Sequence, residues 1–305
     1  MKEQPHNATQ WQGTTDGLPW MHRALIRVLG MVPVGVVYAI AAVFVVPFYI
    51  LGRRQGYLVQ YRFFRQAFGF GVFKAFRYAC LNHLRFAQVI IDRFAVYGGH
   101  KFTFDVEGRA DYDELAHGES GFVQVFSHAG NYELAGYELR QPRKRLYALL
   151  FRDGSETIMQ NRRDTFTPNG VEMVFVQPDM SHIFLLNNVV RDGDIASIPG
   201  DRIFGSRKFV ECRFFGRTAQ FPIGPFHLAA VRQAPIVAIF VMKERWTSYR
   251  IFVRRLLPEA GSPSPAARGS KPTAGGLAQQ FATELEQIVR RYPEQWFNYF
   301  DFWQK

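Results

Sequence analysis

The chain has 305 residues, 48% of them hydrophobic, and a formal net charge of +11 at pH 7. This length holds one large domain or two small ones with a buried core. Two isolated cysteines, Cys80 and Cys212, argue against a disulfide framework or a thiolate metal site and favour a reducing, cytosol-facing compartment. The basic residues stand in short clusters without a zinc-finger or RRM signature, so the charge favours an anionic lipid surface over nucleic acid.

The N-terminal part divides into a polar tail, residues 1–22, and a predicted membrane anchor, residues 23–52. Val28 through Leu51 has no charged residue across 24 positions, which as a helix is long enough to cross a hydrocarbon core. Basic residues flank this run on both sides: Arg23 and Arg27 before it, and Arg53, Arg54, Arg62 and Arg65 after it. The heavier C-terminal flank predicts that the rest of the chain faces the cytoplasm.

Alternatives stay open for this apolar segment. Pro33 and Pro47 can bend it, which is compatible with a re-entrant or surface-lying helix. A buried core helix is the other reading. A cleaved signal peptide is disfavoured because the apolar run begins late and is too long.

Residues 53–305 read as one domain with a helix-rich start, 53–100, and an α/β core, 101–257. Strand-like runs alternate with helical stretches in this core, which predicts an α/β fold with a mixed sheet flanked by helices. The predicted strands are 102–107, 121–127, 146–151, 171–176, 194–198, 235–242 and 248–254. The predicted helices are 131–140, 156–163, 181–191 and 225–233. A mobile loop rich in Pro, Gly, Ala and Ser, 258–276, and a C-terminal helix, 277–305, complete the domain.

The most informative segment is His128-Ala-Gly-Asn-Tyr-Glu133, which joins an apolar strand to the predicted start of a helix. A histidine placed there acts as a general base when a carboxylate holds one ring nitrogen and leaves the other free to accept a proton. We therefore predict that His128 is the catalytic base and that Glu133 orients it.

A second histidine, His100, has the same spacing to Asp105. Phe102 and Phe104 alternate with polar residues there and indicate one half-buried strand, in which His100 and Asp105 lie far apart. We predict that His100 has no catalytic role.

Three further segments follow the motif in order. They are Asp192-Gly-Asp-Ile-Ala-Ser-Ile-Pro199-Gly-Asp201-Arg202, then Phe214-Phe-Gly216 with a predicted helix after it, and finally Pro293-Glu-Gln-Trp296. Together with His128-Ala-Gly-Asn-Tyr-Glu133 they resemble the lysophospholipid acyltransferase superfamily, and within it the lipid A late-acyltransferase branch, over residues 20–305. The ending departs from that branch at Asp301, which stands where the branch carries a basic cluster.

The resemblance implies a glycerol-3-phosphate-acyltransferase-like fold and transfer of a fatty acyl chain to a hydroxyl or amine of a lipid acceptor. The donor it implies is an acyl thioester of acyl-carrier protein or CoA, with no other cofactor, no metal and no enzyme nucleophile. The basic loop Arg140–Arg145 is suited to an acidic carrier protein or to CoA phosphates. Membrane lipids are the expected partners, at a bacterial-type inner membrane with the catalytic domain in the cytoplasm. The acceptor stays open among a lipid A-like glycolipid, a lysophospholipid, an aminolipid and an acyl-chain pigment.

Six more residues are candidates for substrate binding. Gly130 leaves room for close approach of backbone and substrate, and Asn131 either donates to an oxyanion or caps the following helix. Arg162 or Arg163 falls where the family places a phosphate-binding basic residue, with a solvated charged face as the alternative. Asp201 and Arg202 follow a strand end, where α/β sites gather, or else form a structural ion pair.

Other enzyme classes have little support in the sequence. No Gly-x-Ser-x-Gly pattern favours an α/β-hydrolase, and no His-Glu-x-x-His pattern favours a zinc enzyme. The functional alternative is a non-catalytic, basic lipid-binding protein that retains the acyltransferase fold.

Overall fold

The computed structural model describes residues 19–52, 54–139, 143–150, 159–160, 162–163, 167, 170–203, 208–257 and 272–303. Most of the predicted polar tail and of the predicted mobile loop 258–276 lies outside these residues, as do Arg53, Arg140 and half of the predicted helix 156–163.

Helices make up the N-terminal third. They are α1 (Pro19–Met31), α2 (Val34–Ile40), α3 (Val46–Gly52), α4 (Arg54–Ala67) and α5 (Val72–Tyr97). A π-helical turn, Ala41–Val45, joins α2 to α3, so that Val34–Gly52 is one helix, long and apolar enough to cross a membrane. Pro47 lacks a backbone donor for the preceding turn, and a wider turn at this point accommodates its ring.

A seven-stranded sheet forms the centre of the molecule, in the order β1-β9-β8-β2-β5-β3-β4. Its strands are β1 (Thr103–Glu107), β2 (Phe122–Gly130), β3 (Leu146–Leu150), β4 (Val171–Phe175), β5 (Ile195–Pro199), β8 (Ile236–Lys243) and β9 (Ser248–Leu256). All neighbours are parallel except β8 and β9, which are antiparallel. The predicted α/β fold with a mixed sheet is confirmed, and each of the seven predicted strands corresponds to one of these.

Helices cover both faces of the sheet. They are α6 (Arg109–His117), α7 (Ala135–Glu138), α8 (Ser181–Arg191), α9 (Gly224–Arg232) and α10 (Ala274–Arg291). The larger core packs α8, α9 and α10 against the β2 face that carries Val123 and Val125. The smaller core packs α6 and α7 against the opposite face, which carries Phe122. His128 follows Phe122, Gln124 and Phe126 on that second face, because side chains alternate along a strand.

Several predicted elements differ from the observed ones. A two-stranded hairpin, β6 (Phe209–Phe214) and β7 (Arg217–Pro222), and helix α6 were not predicted. The first strand begins at Thr103. His100 therefore lies outside this strand and does not share it with Asp105. The C-terminal helix begins at Ala274, where Thr273 accepts a hydrogen bond from the Gly276 amide, and it ends at Arg291.

The segment after α10, residues 293–303, returns to the sheet as what we call the C-terminal strap. Gln295 clamps the end of β8: its Oε1 accepts from the Lys243 amide and its Nε2 donates to the Lys243 carbonyl, both at 2.9 Å. The Phe297 amide donates to the His128 carbonyl at 3.0 Å, and Asn82 of α5 donates to the Trp296 carbonyl at 2.9 Å. The strap therefore ties α5, β8 and the end of β2 together.

A buried ion pair joins helix α5 to strand β8. Lys243 Nζ lies 2.6 Å from Asp92 Oδ2, and both side chains are almost completely buried. The hydroxyls of Tyr38 and Tyr249 also donate to the Asp92 carboxylate, and Lys243 donates to the Trp246 carbonyl at 2.9 Å. Burial opposes both charges, lowering the pKa of Lys243 and raising that of Asp92, so each partner depends on the other.

Removing one partner of this pair is expected to destabilise the fold strongly. Lys243→Met leaves Asp92 buried without its cation and should cost about 3–5 kcal/mol of unfolding free energy. The double variant Asp92→Asn, Lys243→Met removes both charges and should lose less than the single variant. Denaturant unfolding of purified protein in detergent measures both, with the exposed Lys101→Met as control. Equal stability of Lys243→Met and Lys101→Met would contradict this assignment.

Candidate active site

His128 stands at the carboxyl end of β2 and is held by Asp201. The His128 backbone N–H donates to Asp201 Oδ2, and His128 Nδ1 lies 2.8 Å from Asp201 Oδ1. An ionised carboxylate only accepts, so Nδ1 carries the hydrogen and Nε2 is left as the acceptor. The side chain of His128 is 20% exposed, so its ring is reachable from outside.

Strand register brings these two residues together. Phe126 on β2 pairs with Pro199 on the parallel neighbour β5, and His128 and Asp201 each follow two positions later. Trp296 of the C-terminal strap adds a third donor, with its Nε1 3.3 Å from Asp201 Oδ2. The Asp201 carboxylate thus receives three N–H groups, as a carboxylate that is only 2% exposed requires.

The two groups have opposite electrostatic surroundings. Burial, and then Arg202, lower the pKa of His128 below its ordinary value, against the opposing effect of Asp201. Burial acts to raise the pKa of Asp201, but His128 and Arg202 outweigh it and hold that pKa below its ordinary value. At neutral pH the pair is therefore a neutral imidazole against an ionised carboxylate, the state that a general base requires.

Glu133, predicted to orient His128, lies elsewhere in the structure. Its Oε1 is 2.9 Å from Arg93 NH1 and also accepts from Arg162 NH2. Among the described residues these two arginines bind it, and His128 does not. The cause is local: the chain enters a 3₁₀ turn at Tyr132–Leu134, which turns Glu133 towards helix α5. Burial acts to raise the pKa of Glu133, but Arg162 and Arg93 outweigh it and hold the pKa below its ordinary value.

Gly130 and Asn131 are structural rather than open to a ligand. Gly130 has φ +67°, and a Cβ there would overlap the Val241 carbonyl, so the close approach is to strand β8 and not to a substrate. Asn131 is completely buried; its Oδ1 accepts from Arg93 Nε at 3.1 Å and its Nδ2 lies 3.4 Å from the Val89 carbonyl. Its side chain makes no capping bond, so neither predicted role of Asn131 is observed.

The three candidate arginines have different places. Arg162 is largely buried against Glu133, which rules out the solvated face that was its alternative reading, whereas Arg163 is exposed. Arg202 NH2 donates to the Phe297 carbonyl at 2.7 Å, so it binds the C-terminal strap while its charge acts on His128.

An apolar cleft opens beside His128 on the same face of the sheet, with a volume of about 630 Å³ including its mouth. Phe126 and Tyr132 stack at one end of it, ring centroids 4.5 Å apart, and the Tyr132 ring lies 5.6 Å from that of His128. Glu133 and Arg162 also line this end. The rest of the lining is mostly apolar and includes two polar side chains, those of Gln124 and Ser197; its apolar residues are Ala135, Gly136, Leu146, Ala148, Leu150, Val171, Met173 and Ile239.

Two other predicted features have structural explanations. His100 Nε2 contacts the Leu29 carbonyl, which joins α1 to the end of α5, so His100 lies apart from His128. In the basic loop, Lys144 is buried and donates to the carbonyls of Ser120 at 3.0 Å and Gly193 at 2.6 Å. Among the described residues of this loop, Arg143 and Arg145 are the exposed cations. Within the described ranges, no cluster of three or more His, Cys, Asp or Glu side chains is placed to hold a metal.

Asp201 was a site candidate from its position at a strand end, but its role as the partner of His128 was not predicted. The register of β2 against β5 supplies that role. The sequence carries one signal for this pairing: His128 and Asp201 each stand at the carboxyl end of a predicted strand. If the two strands are parallel neighbours, their carboxyl ends lie at the same edge of the sheet and the two side chains can meet.

Comparison with known proteins agrees with the resemblance. The chain belongs to the bacterial lipid A biosynthesis acyltransferase family, whose model matches residues 68–305. It is thus an acyltransferase of lipid substrates. Among solved structures it is similar to the 1-acyl-sn-glycerophosphate (LPA) acyltransferase PlsC from Thermotoga maritima, with 12% identity, 92% of this chain and 99% of that chain covered, and a TM-score of 0.38. Comparison with curated proteins found no match.

The His128–Asp201 pair makes a prediction about pH. Asp201→Asn should lower kcat/KM by a factor on the order of 10²–10⁴, because an amide no longer fixes the imidazole tautomer. Asp201 also opposes the lowering of the His128 pKa, so its loss should move the acid limb of the pH–rate profile to lower pH. Rate profiles of purified wild type and variant measure both effects, with the exposed Asp192→Asn as control. An acid limb that moves to higher pH would contradict the assignment.

Proposed function

We propose that the protein is a membrane-associated acyltransferase that moves a fatty acyl chain from an acyl thioester to a hydroxyl or amine of a lipid acceptor. The observation that carries this proposal is the His128–Asp201 pair at the end of an apolar cleft. In this reaction His128 Nε2 takes the acceptor's proton as its oxygen or nitrogen attacks the thioester carbonyl. Asp201 holds the imidazole in the required tautomer and offsets the charge of the imidazolium that forms.

The cleft supports an acyl chain as the group that is bound. Its walls are mostly aliphatic, which suits a hydrocarbon chain. Tyr132 lines the cleft and its ring also lies 5.6 Å from that of His128, so an acyl chain bound in the cleft has its thioester carbonyl at the end nearest the base. Glu133, fixed by Arg93 and Arg162, supports the turn that carries Tyr132.

The donor is acyl-carrier protein or CoA, and Arg143 and Arg145 remain as exposed cations for either one. The acceptor is a lipid of the inner membrane, reached from the cytoplasmic side. Asp301 lies 4.0 Å from Arg62, so this acidic residue of the strap is engaged with α4.

Substitution of the base tests the chemistry. His128→Ala should abolish acyl transfer while the protein stays folded and membrane-bound. Glu133→Ala removes the carboxylate that binds Arg93 and Arg162 and should lower the rate less than Asp201→Asn does, because Glu133 does not contact His128. His100→Ala, the matched control histidine, should keep most of the activity. The assay follows transfer of labelled acyl chain from acyl-carrier protein and from acyl-CoA into a membrane lipid extract.

The possible outcomes separate the hypotheses. Full turnover by His128→Ala would contradict the role of His128 as the general base. A wild-type protein that binds lipid vesicles but transfers no acyl chain from either donor would favour the non-catalytic lipid-binding alternative. Mass spectrometry of lipids from cells with and without the gene identifies the acceptor.

Apolar burial by residues 28–51 is expected to hold the protein to the membrane. Headgroup attraction contributes about 1 kcal/mol per basic residue and is screened by salt, whereas apolar burial is not. Full-length protein should therefore stay with membranes in high salt and need detergent for release. Sedimentation of membranes measures this, and release of the full-length protein by salt alone would show that basic residues are the only anchor.

A further inference from the structure

Helix Val34–Gly52 has two apolar faces that meet different surroundings. Its buried side carries Val34, Tyr38, Ala41 and Val46. Its other side carries large apolar side chains that are exposed: Val36 is 48% exposed, Ile40 52%, Phe44 70%, Phe48 76% and Leu51 68%. Only 22% of the most apolar stretch of this helix is buried, so it is not an ordinary core helix.

The buried side is fixed to the catalytic domain. The Tyr38 hydroxyl donates to Asp92 and lies 3.2 Å from the Trp246 carbonyl, and Gly35 lies against the Trp246 ring. Val34, Tyr38 and Ala41 belong to a core cluster with Ile91, Phe94 and Ala95 of α5. Segment α3, the second half of the helix, also contacts α5. The helix therefore lies along α5 instead of projecting from the domain.

This attachment conflicts with a helix that crosses the bilayer. If Val34–Gly52 spanned the hydrocarbon core in this pose, α5 would enter the core beside it. The central part of α5 carries Asn82, His83, Arg85, Asp92 and Arg93, and charged groups at the bilayer centre are costly. Release of the helix from α5 would instead expose the Asp92–Lys243 pair. A helix that lies parallel to the membrane surface avoids both penalties.

The charges around the helix favour an anionic lipid surface. Residues 17–91 contain no Asp or Glu and nine basic residues: Arg23, Arg27, Arg53, Arg54, Arg62, Arg65, Lys74, Arg77 and Arg85. Exposed apolar side chains accompany them at the start of α5, where Val72 is 56% exposed, Phe73 89% and Phe76 56%, and in α1, where Trp20 is 61% exposed. Cations interspersed with aromatic and aliphatic side chains are the composition of an interfacial membrane-binding surface.

We propose that Val34–Gly52 lies in one leaflet, parallel to the membrane, with Phe44, Phe48 and Leu51 in the acyl region and Tyr38 on the protein. This inference rests on the proposed membrane-associated function and specifies its geometry. Both ends of the helix, and the catalytic domain, then stand on the cytoplasmic side. The partner of the surface formed by residues 19–91 is the anionic face of a single leaflet.

Labelling of single cysteines distinguishes this geometry from a crossing helix. In a Cys80→Ser background, with the other native cysteine, Cys212, buried, Arg23→Cys reports the N-terminal end and Glu119→Cys reports the catalytic domain. We expect a membrane-impermeant maleimide to label neither cysteine in intact cells and both after permeabilisation. A helix that crosses the membrane places residue 23 outside, so labelling of Arg23→Cys but not Glu119→Cys in intact cells would overturn the proposal.

A second measurement tests which face meets the lipid. Phe44→Glu with Phe48→Glu should weaken binding to vesicles that contain anionic lipid and make it more sensitive to salt, because the two largest side chains of the acyl contact are lost and headgroup attraction carries a larger share of the binding. Val231→Glu, at a site 63% exposed on helix α9, is the matched control and should leave binding unchanged. Equal weakening by the control, or binding of the Phe44, Phe48 variant that resists salt as well as the wild type does, would contradict the assigned face. Neither measurement depends on turnover, so an inactive protein leaves both interpretable.

Discussion

The Asp201 carboxylate is the point on which the arrangement of the site depends. A carboxylate this deeply buried is costly unless donors surround it, and its three donors come from two distant parts of the chain. Two belong to His128 and one to Trp296. Satisfying one charge therefore fixes the end of β2, the loop after β5 and the C-terminal strap at once. The orientation of the proposed base follows from the need to solvate its partner.

A chain of hydrogen bonds and one ion pair connects the surroundings of Asp201 to the proposed lipid-facing helix. Gln295, beside Trp296, clamps the backbone of Lys243. The Lys243 side chain then binds Asp92 of α5, and Asp92 accepts from Tyr38. A second branch runs through Arg93, which contacts both Asn131 and Glu133 of the motif. The turn of the His128–Glu133 motif and the apolar helix are thus attached to consecutive residues, Asp92 and Arg93, of one helix, α5.

The periodic patterns of apolar residues predict the strands and helices, but they do not predict which strands lie next to each other in the sheet. Alternating strand and helix patterns locate all seven strands of the sheet, because burial imposes those periods on the residues themselves. The hairpin was missed because Phe214-Phe-Gly216 was read only as a segment that precedes a helix, whereas it ends strand β6 and is followed by strand β7 before that helix begins at Gly224. His128 is recognisable from its strand end, but its partner is not, since spacing along the chain favoured Glu133. Strand order places Asp201 nearer, and strand order is a long-range property that no local pattern contains.

The charges close to His128 have a consequence for where its proton goes. Three guanidinium groups, those of Arg93, Arg162 and Arg202, stand against two carboxylates, those of Glu133 and Asp201. After burial, which is the largest cause, Arg202 and Arg93 contribute to the lowering of the His128 pKa. A weak base has a strong conjugate acid, so the imidazolium formed in the proposed reaction gives up its proton readily. The departing thiolate is a ready acceptor, and the same side chain thereby resets itself to the neutral form as the thiol leaves.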